Sequence, residues 1–239
     1  MKLIEFKQVR FGNEEVIGDI IPPEKLFEDY ENITSIPLRS IKISEEEFCS
    51  KFIEAFKETV LETWDKSKYH IILHSSGYDS RMLSWTIKKL NLKNLIYVCL
   101  FPEGSEFAKI MRYISNGNDY LTAPRLGTKH GLNAIRYANN ERPIDNIQIY
   151  SCGYFNELLS YGFFENNHNF SDWINKYYYH TYAKNAADFP GNIFYPILGE
   201  KVLKVVLTSD ITLNLDLHHK IIKTADPKLF SFRRYQDKK

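Results

Sequence analysis

Six consecutive residues, Ser75-Ser76-Gly77-Tyr78-Asp79-Ser80, bring together small side chains, hydroxyl donors and one carboxylate, the ingredients of a polyphosphate site. Ser75, Ser76, Gly77 and Ser80 have no bulk to block an oxyanion. Backbone N–H groups and hydroxyls can therefore converge on it where a helix dipole is positive. Asp79 cannot serve the anion directly. Beside bound polyphosphate, a carboxylate holds Mg²⁺, which bridges it to the phosphate oxygens and offsets their mutual repulsion. The same residues also suit an ordinary strand-to-helix turn with Ser or Asp as the N-cap. They do not suit the P-loop of kinases and GTPases, because no lysine sits at the helix start.

The flanking sequence supplies the elements that must position this turn. An apolar strand over 69–73 runs into it, and Leu83, Ile87 and Leu90 follow at helical spacing. Ahead of it, Ser44 and Glu47 form a capping-box pattern, after which Phe48, Phe52, Phe56, Val60 and Trp64 recur every four residues as a core stripe. A nearly continuous apolar run over 94–101 reads as a parallel strand covered on both faces, and helical spacing resumes over 105–114. A short strand over 119–123 and a helix over 128–139 come next. The strand 146–150 then breaks at Ser151-Cys152-Gly153 and enters a helix carrying Asn156 and Glu157. Helical segments are expected at 173–184, at 196–207 with Pro196 in the first position, and at 213–224. Right-handed crossovers bring the small-residue loops to one carboxyl edge. The expected class is α/β: a mainly parallel sheet flanked by helices, with strands near 69–74, 95–101 and 146–151 adjacent, and a helical C-terminal part.

With 239 residues, 44% of them hydrophobic and 15% aromatic, the chain can bury one substantial core. Residues 1–43 read as an irregular or hairpin-like lead-in and 44–239 as a single domain. A formal charge of +1 gives no global field to recruit nucleic acid or an anionic membrane. The one basic cluster, Arg233, Arg234, Lys238 and Lys239, reads as a solvated end. No apolar run approaches membrane-spanning length, and the amino terminus lacks the apolar region of a secretion signal. Cys49, Cys99 and Cys152 are far apart and odd in number, which argues against a disulfide framework or a zinc site. A cytoplasmic protein with reduced thiols is expected.

The turn at 75–80 resembles the pyrophosphate loop, Ser-Gly-Gly-x-Asp-Ser, of the N-type ATP pyrophosphatases, with Ser76 in place of the first glycine. From about Ile36 onward the spacing of the pieces is similar to the synthetase domain of the asparagine-synthetase family. Ser105-Glu106-Phe107-Ala108 matches its Glu-containing helix start. Ser151, Glu157 and Leu158 match its Ser-Gly-x-Gly-x-Asp-Glu-Leu segment, where Asn156 replaces the aspartate and Ser160-Tyr161 replace the paired glycines. Phe194-Tyr195-Pro196-Ile197-Leu198 echoes its Pro-Phe-Leu-Asp segment.

The resemblance implies an adenine nucleotide alpha hydrolase-like fold and an enzyme that binds ATP and Mg²⁺. Such an enzyme adenylates a small carboxylate, releases pyrophosphate and passes the acyl group to ammonia or an amine. It implies that Ser75, Ser76, Gly77, Ser80 and Ser151 hold the nucleotide, that Asp79 holds the metal, and that Glu157 contacts the amine or organises the acceptor pocket. The family's glutaminase domain is unmatched, so ammonia from glutamine would come from a separate glutaminase subunit. The family has a late lysine, for which Arg234 or Lys238 would have to substitute. Two other readings remain: a PP-loop enzyme modifying a nucleobase in RNA or DNA, against which the absence of a recognised nucleic-acid module counts, and a non-catalytic nucleotide-binding scaffold.

Overall fold

The computed structural model describes residues 39–99, 106–122, 146–152 and 193–234. After a two-residue strand, β1 (Ile41–Lys42), the Ser44 hydroxyl accepts from the Glu47 N–H at 3.1 Å and caps α1 (Glu45–Thr63). Phe48, Phe52, Phe56 and Val60 are fully buried, so the stripe with four-residue spacing packs into the core.

Five parallel strands form the main sheet: β2 (Tyr69–His74), β3 (Leu95–Cys99), β4 (Tyr120–Thr122), β5 (Ile147–Tyr150) and β6 (Ile193–Phe194). Their order is β4-β3-β2-β5-β6, with Ile72 opposite both Tyr97 and Tyr150. All of β3 and β5, and all of β2 after Tyr69, are buried, which is why they read as apolar runs rather than alternating ones. Helices α2 (Tyr78–Lys89) and α3 (Phe107–Ile114) lie in the connections from β2 to β3 and from β3 to β4. The chain thus moves outward from β2 through β3 to β4, then resumes on the other side of β2 with β5 and β6. That reversal creates a switch point between β2 and β5, where an open parallel sheet has its crevice at the carboxyl ends. The three strands expected to be neighbours are neighbours, and Ser76 and Ser151 lie on the same edge.

At the opposite, amino edge, buried polar groups are satisfied across elements. Gln148 accepts from the Asp65 N–H at 3.0 Å and donates to the Thr63 carbonyl at 3.1 Å. His70 Nε2 stands 3.0 Å from Gln148 Oε1, with the His70 ring stacked on Trp64 at 3.6 Å. The carboxyl end of α1 is therefore sewn to β2 and β5.

The stretch expected as one helix over 196–207 is two pieces. A single 3-10 turn, Pro196–Leu198, ends at Gly199, and α4 (Glu200–Thr208) begins after it. Gly199 is extended (φ −66°, ψ 146°), and a Cβ there would overlap Thr59 Cγ2 and come within 2.9 Å of Thr59 Oγ1. Close approach of the Thr59 side chain, invisible in the local pattern, leaves no room for a Cβ where the helix is interrupted. Gly199→Ala is expected to cost about 1–3 kcal/mol in chemical denaturation. Most of that cost should vanish in a Thr59→Ala background, and additive losses would refute the contact.

Residues 41–42, at the end of the lead-in, do not form a hairpin. They pair in parallel with β7 (Ser209–Asp210) as a separate two-stranded sheet. The helix expected at 213–224 is α5 (Leu215–Ala225), which starts later because Asn214 accepts from the Leu217 N–H at 2.8 Å. A short α6 (Pro227–Ser231) follows. The expected elements at 128–139 and 173–184, and the lead-in before Arg39, lie outside the described residues. Cys49, Cys99 and Cys152 are buried free thiols. Among the described residues no helix is long and apolar enough to cross a membrane.

Candidate anion-binding site

Strand β2 ends at His74, and Gly77 is the N-cap of α2. The Gly77 backbone (φ −69°, ψ 160°) is open to any residue, so what glycine contributes is the absence of a side chain. As the N-cap, Gly77 brings no side chain to cap the first turn of α2. A Cβ at this position would come 3.2 Å from Ser75 Oγ, inside the loop. The two flanking serines brace that loop from within. Ser75 Oγ accepts from the Gly77 N–H at 3.2 Å, the Ser75 N–H donates to Ser80 Oγ at 3.1 Å, and the Ser80 hydroxyl donates to the Ser75 carbonyl at 2.8 Å. Ser76 is 5% exposed, and its carbonyl accepts from the Arg81 guanidinium at 3.1 Å.

Asp79 sits in the first turn of α2 with its side chain 30% exposed, and its Oδ1 lies 3.2 Å from His218 Nε2 on α5. Burial pushes the Cys152 thiol well above its ordinary range, and the negative charge of Asp79 pushes it further. The charge of Asp79 is thus felt at the end of β5, which lies beside β2 in the sheet. Ser151 is half-buried there, its N–H donating to the Phe194 carbonyl at 2.9 Å. Glu157 lies outside the described residues. Sequence reading missed His218, because only the packing of α5 against α2 brings it to Asp79.

Of the basic end, Arg233 is exposed, as expected of a solvated end, and Arg234 is half-buried. The fully buried Arg81 guanidinium donates to the carbonyls of Leu229 (2.9 Å), Phe232 (2.7 Å) and Arg233 (3.2 Å), while the Arg233 N–H donates to Glu106 at 2.8 Å. That bond, together with Lys109, holds the Glu106 carboxyl below its usual range. The Arg234 guanidinium lies 4.6 Å over the Tyr78 ring, beside the loop. Composition did not reveal that the main chain here is hydrogen-bonded to Arg81 of α2 and to Glu106 at the start of α3. Lys238 and Lys239 lie outside the described residues.

Among the described residues no cluster of three or more His, Cys, Asp or Glu side chains forms a metal cage. A single carboxylate beside a small-residue loop would suit a cation that arrives with its own phosphate ligands, as Mg²⁺ does. Compared with protein-family models and with curated proteins, the chain matches none.

Proposed function

We propose that the crevice between the ends of β2 and β5 binds ATP with Mg²⁺, and that the chain is a PP-loop enzyme of the asparagine-synthetase type. It adenylates a small carboxylate, releases pyrophosphate and transfers the acyl group to ammonia or an amine. The observation that carries this reading is the position of the 75–80 loop. A serine- and glycine-lined turn without a side-chain cap, with a carboxylate in the following helical turn, lies at the switch point of a parallel sheet. Small residues leave room for the pyrophosphate, Asp79 would hold the metal, and Glu157 would meet the amine. Mg²⁺, when bound, neutralises the negative charge that develops on the leaving pyrophosphate.

The deciding experiment is a screen of small carboxylates for substrate-dependent ATP–pyrophosphate exchange. Exchange supports the enzyme. MgATP binding without exchange on any carboxylate would replace it with the non-catalytic scaffold. Gly77→Val provides the matching test of the cradle. Because the Gly77 dihedrals are open to any residue, this variant is expected to fold yet lose MgATP binding in calorimetry. Parental affinity would put the cradle elsewhere.

A further inference from the structure

We propose that segment 226–234 is a strap that sets the conformation of the anion loop, with Arg81 and Glu106 as the positioning residues that fasten it. The inference deepens the nucleotide-site reading given above and rests on it for its functional consequence. Contacts along the segment fix its course. At one end the Tyr113 hydroxyl, near the carboxyl end of α3, donates to Asp226 Oδ2 at 2.8 Å. Asp226 also caps α6 by accepting from the Leu229 N–H at 2.9 Å. Phe230 then stacks on Tyr78 with centroids 5.0 Å apart and planes 17° apart. At the other end the Arg233 N–H meets Glu106, at the amino end of α3. The strap therefore runs back along α3 and finishes at the rim of the crevice.

Arg81 ties this strap to the loop through one rigid group. Its Nε donates to the Ser76 carbonyl, and its two terminal nitrogens donate to three carbonyls of the strap. The Ser76 carbonyl and the Gly77 N–H belong to the same planar trans peptide, so they point in opposite directions. Drawing the carbonyl toward Arg81 turns the Gly77 N–H into the loop, where it donates to Ser75 Oγ. A loosened strap would free that peptide to rotate and present a carbonyl where an anion needs donors. Lysine cannot replace this fork, because one ammonium cannot span the loop and three carbonyls. Glu106 fastens the strap without entering the core, its side chain being 22% exposed.

The test uses the full chain carrying Arg81→Lys, Glu106→Ala or Glu106→Gln, with two readouts: calorimetric titration with magnesium pyrophosphate, and hydrogen exchange of the amides of residues 76–80. Arg81→Lys is expected to weaken pyrophosphate binding at least tenfold, roughly the worth of one charged hydrogen bond, and to speed exchange at Gly77. Glu106→Ala should show the same two changes at about threefold or more, with an unchanged melting temperature. Glu106→Gln, which keeps an acceptor for the Arg233 N–H, should restore both. Unchanged affinity and exchange in folded Arg81→Lys and Glu106→Ala would overturn the strap. If Arg81→Lys does not fold, the Glu106 pair decides by the same readouts. If the parent binds neither magnesium pyrophosphate nor MgATP, the nucleotide-site reading fails. The strap then stands or falls on whether Glu106→Ala speeds exchange at 76–80.

Discussion

Asp79→Asn is expected to lower substrate-dependent ATP–pyrophosphate exchange by about two to three orders of magnitude while leaving the fold intact, because the amide keeps the size of the carboxylate and loses its charge. The side chain is partly exposed in the first turn of α2, with His218 Nε2 3.2 Å from its Oδ1. Losing that pair should cost little stability, so a fall in exchange reports the metal and not the fold. Nucleotide binding should weaken less than turnover, since the loop amides and small residues remain. Glu157→Gln should behave differently, retaining exchange and losing transfer to the amine, because adenylation precedes the step assigned to it. Parental exchange in Asp79→Asn would remove Asp79 from the metal site and leave it a partner of His218 only.

Acid is expected to destabilise the fold well before the carboxylates titrate, and His74 is the main cause. Burial, with the Arg81 charge adding to it, lowers the His74 pKa to about 3, and burial lowers that of His70 in the same direction. A histidine in the unfolded chain takes up a proton near pH 6.5. The native state does not, so it loses stability as pH falls below that value, and the loss continues until the native pKa is reached. For His74 this amounts to roughly 2 kcal/mol between pH 7 and pH 5. In that window carboxylates such as Asp65 and Glu106, both held below their usual range, stay ionised, so the slope belongs to histidines. Denaturant titrations at pH 7, 6 and 5 would measure it. His74→Gln, which keeps a polar partner for the Ser84 hydroxyl now 2.9 Å from Nδ1, should flatten most of the slope. A slope equal to that of the parent would exclude His74 as its source.

Much of the architecture was legible locally. The Ser44 cap, the stripe from Phe48 to Val60, the apolar runs of β2, β3 and β5, and the small-residue turn at 75–77 all depend on near neighbours in the chain, and each formed where its residues required. Strand adjacency followed as well, because right-handed crossovers leave few arrangements for a parallel sheet. The loop was singled out as a candidate from residue types alone, because small residues at a helix start are what a phosphate cradle would need.

Tertiary structure decided what connects that loop to the rest of the molecule. Gly199 has no room for a side chain because Thr59 of α1 lies against it, and Asp79 meets His218 because α5 packs on α2. Arg81 reads as one charge in a helix, yet it is fully buried and holds carbonyls as many as 152 positions away. Arg233, exposed as its composition suggested, is also hydrogen-bonded through its main chain on both sides. Periodicity and capping are short-range properties of the chain, so the sequence by itself determined the elements and the residue types of the loop. Satisfaction of buried polar groups is a global condition met only when distant segments pack together, so the partners that shape the loop were decided by the folded structure alone.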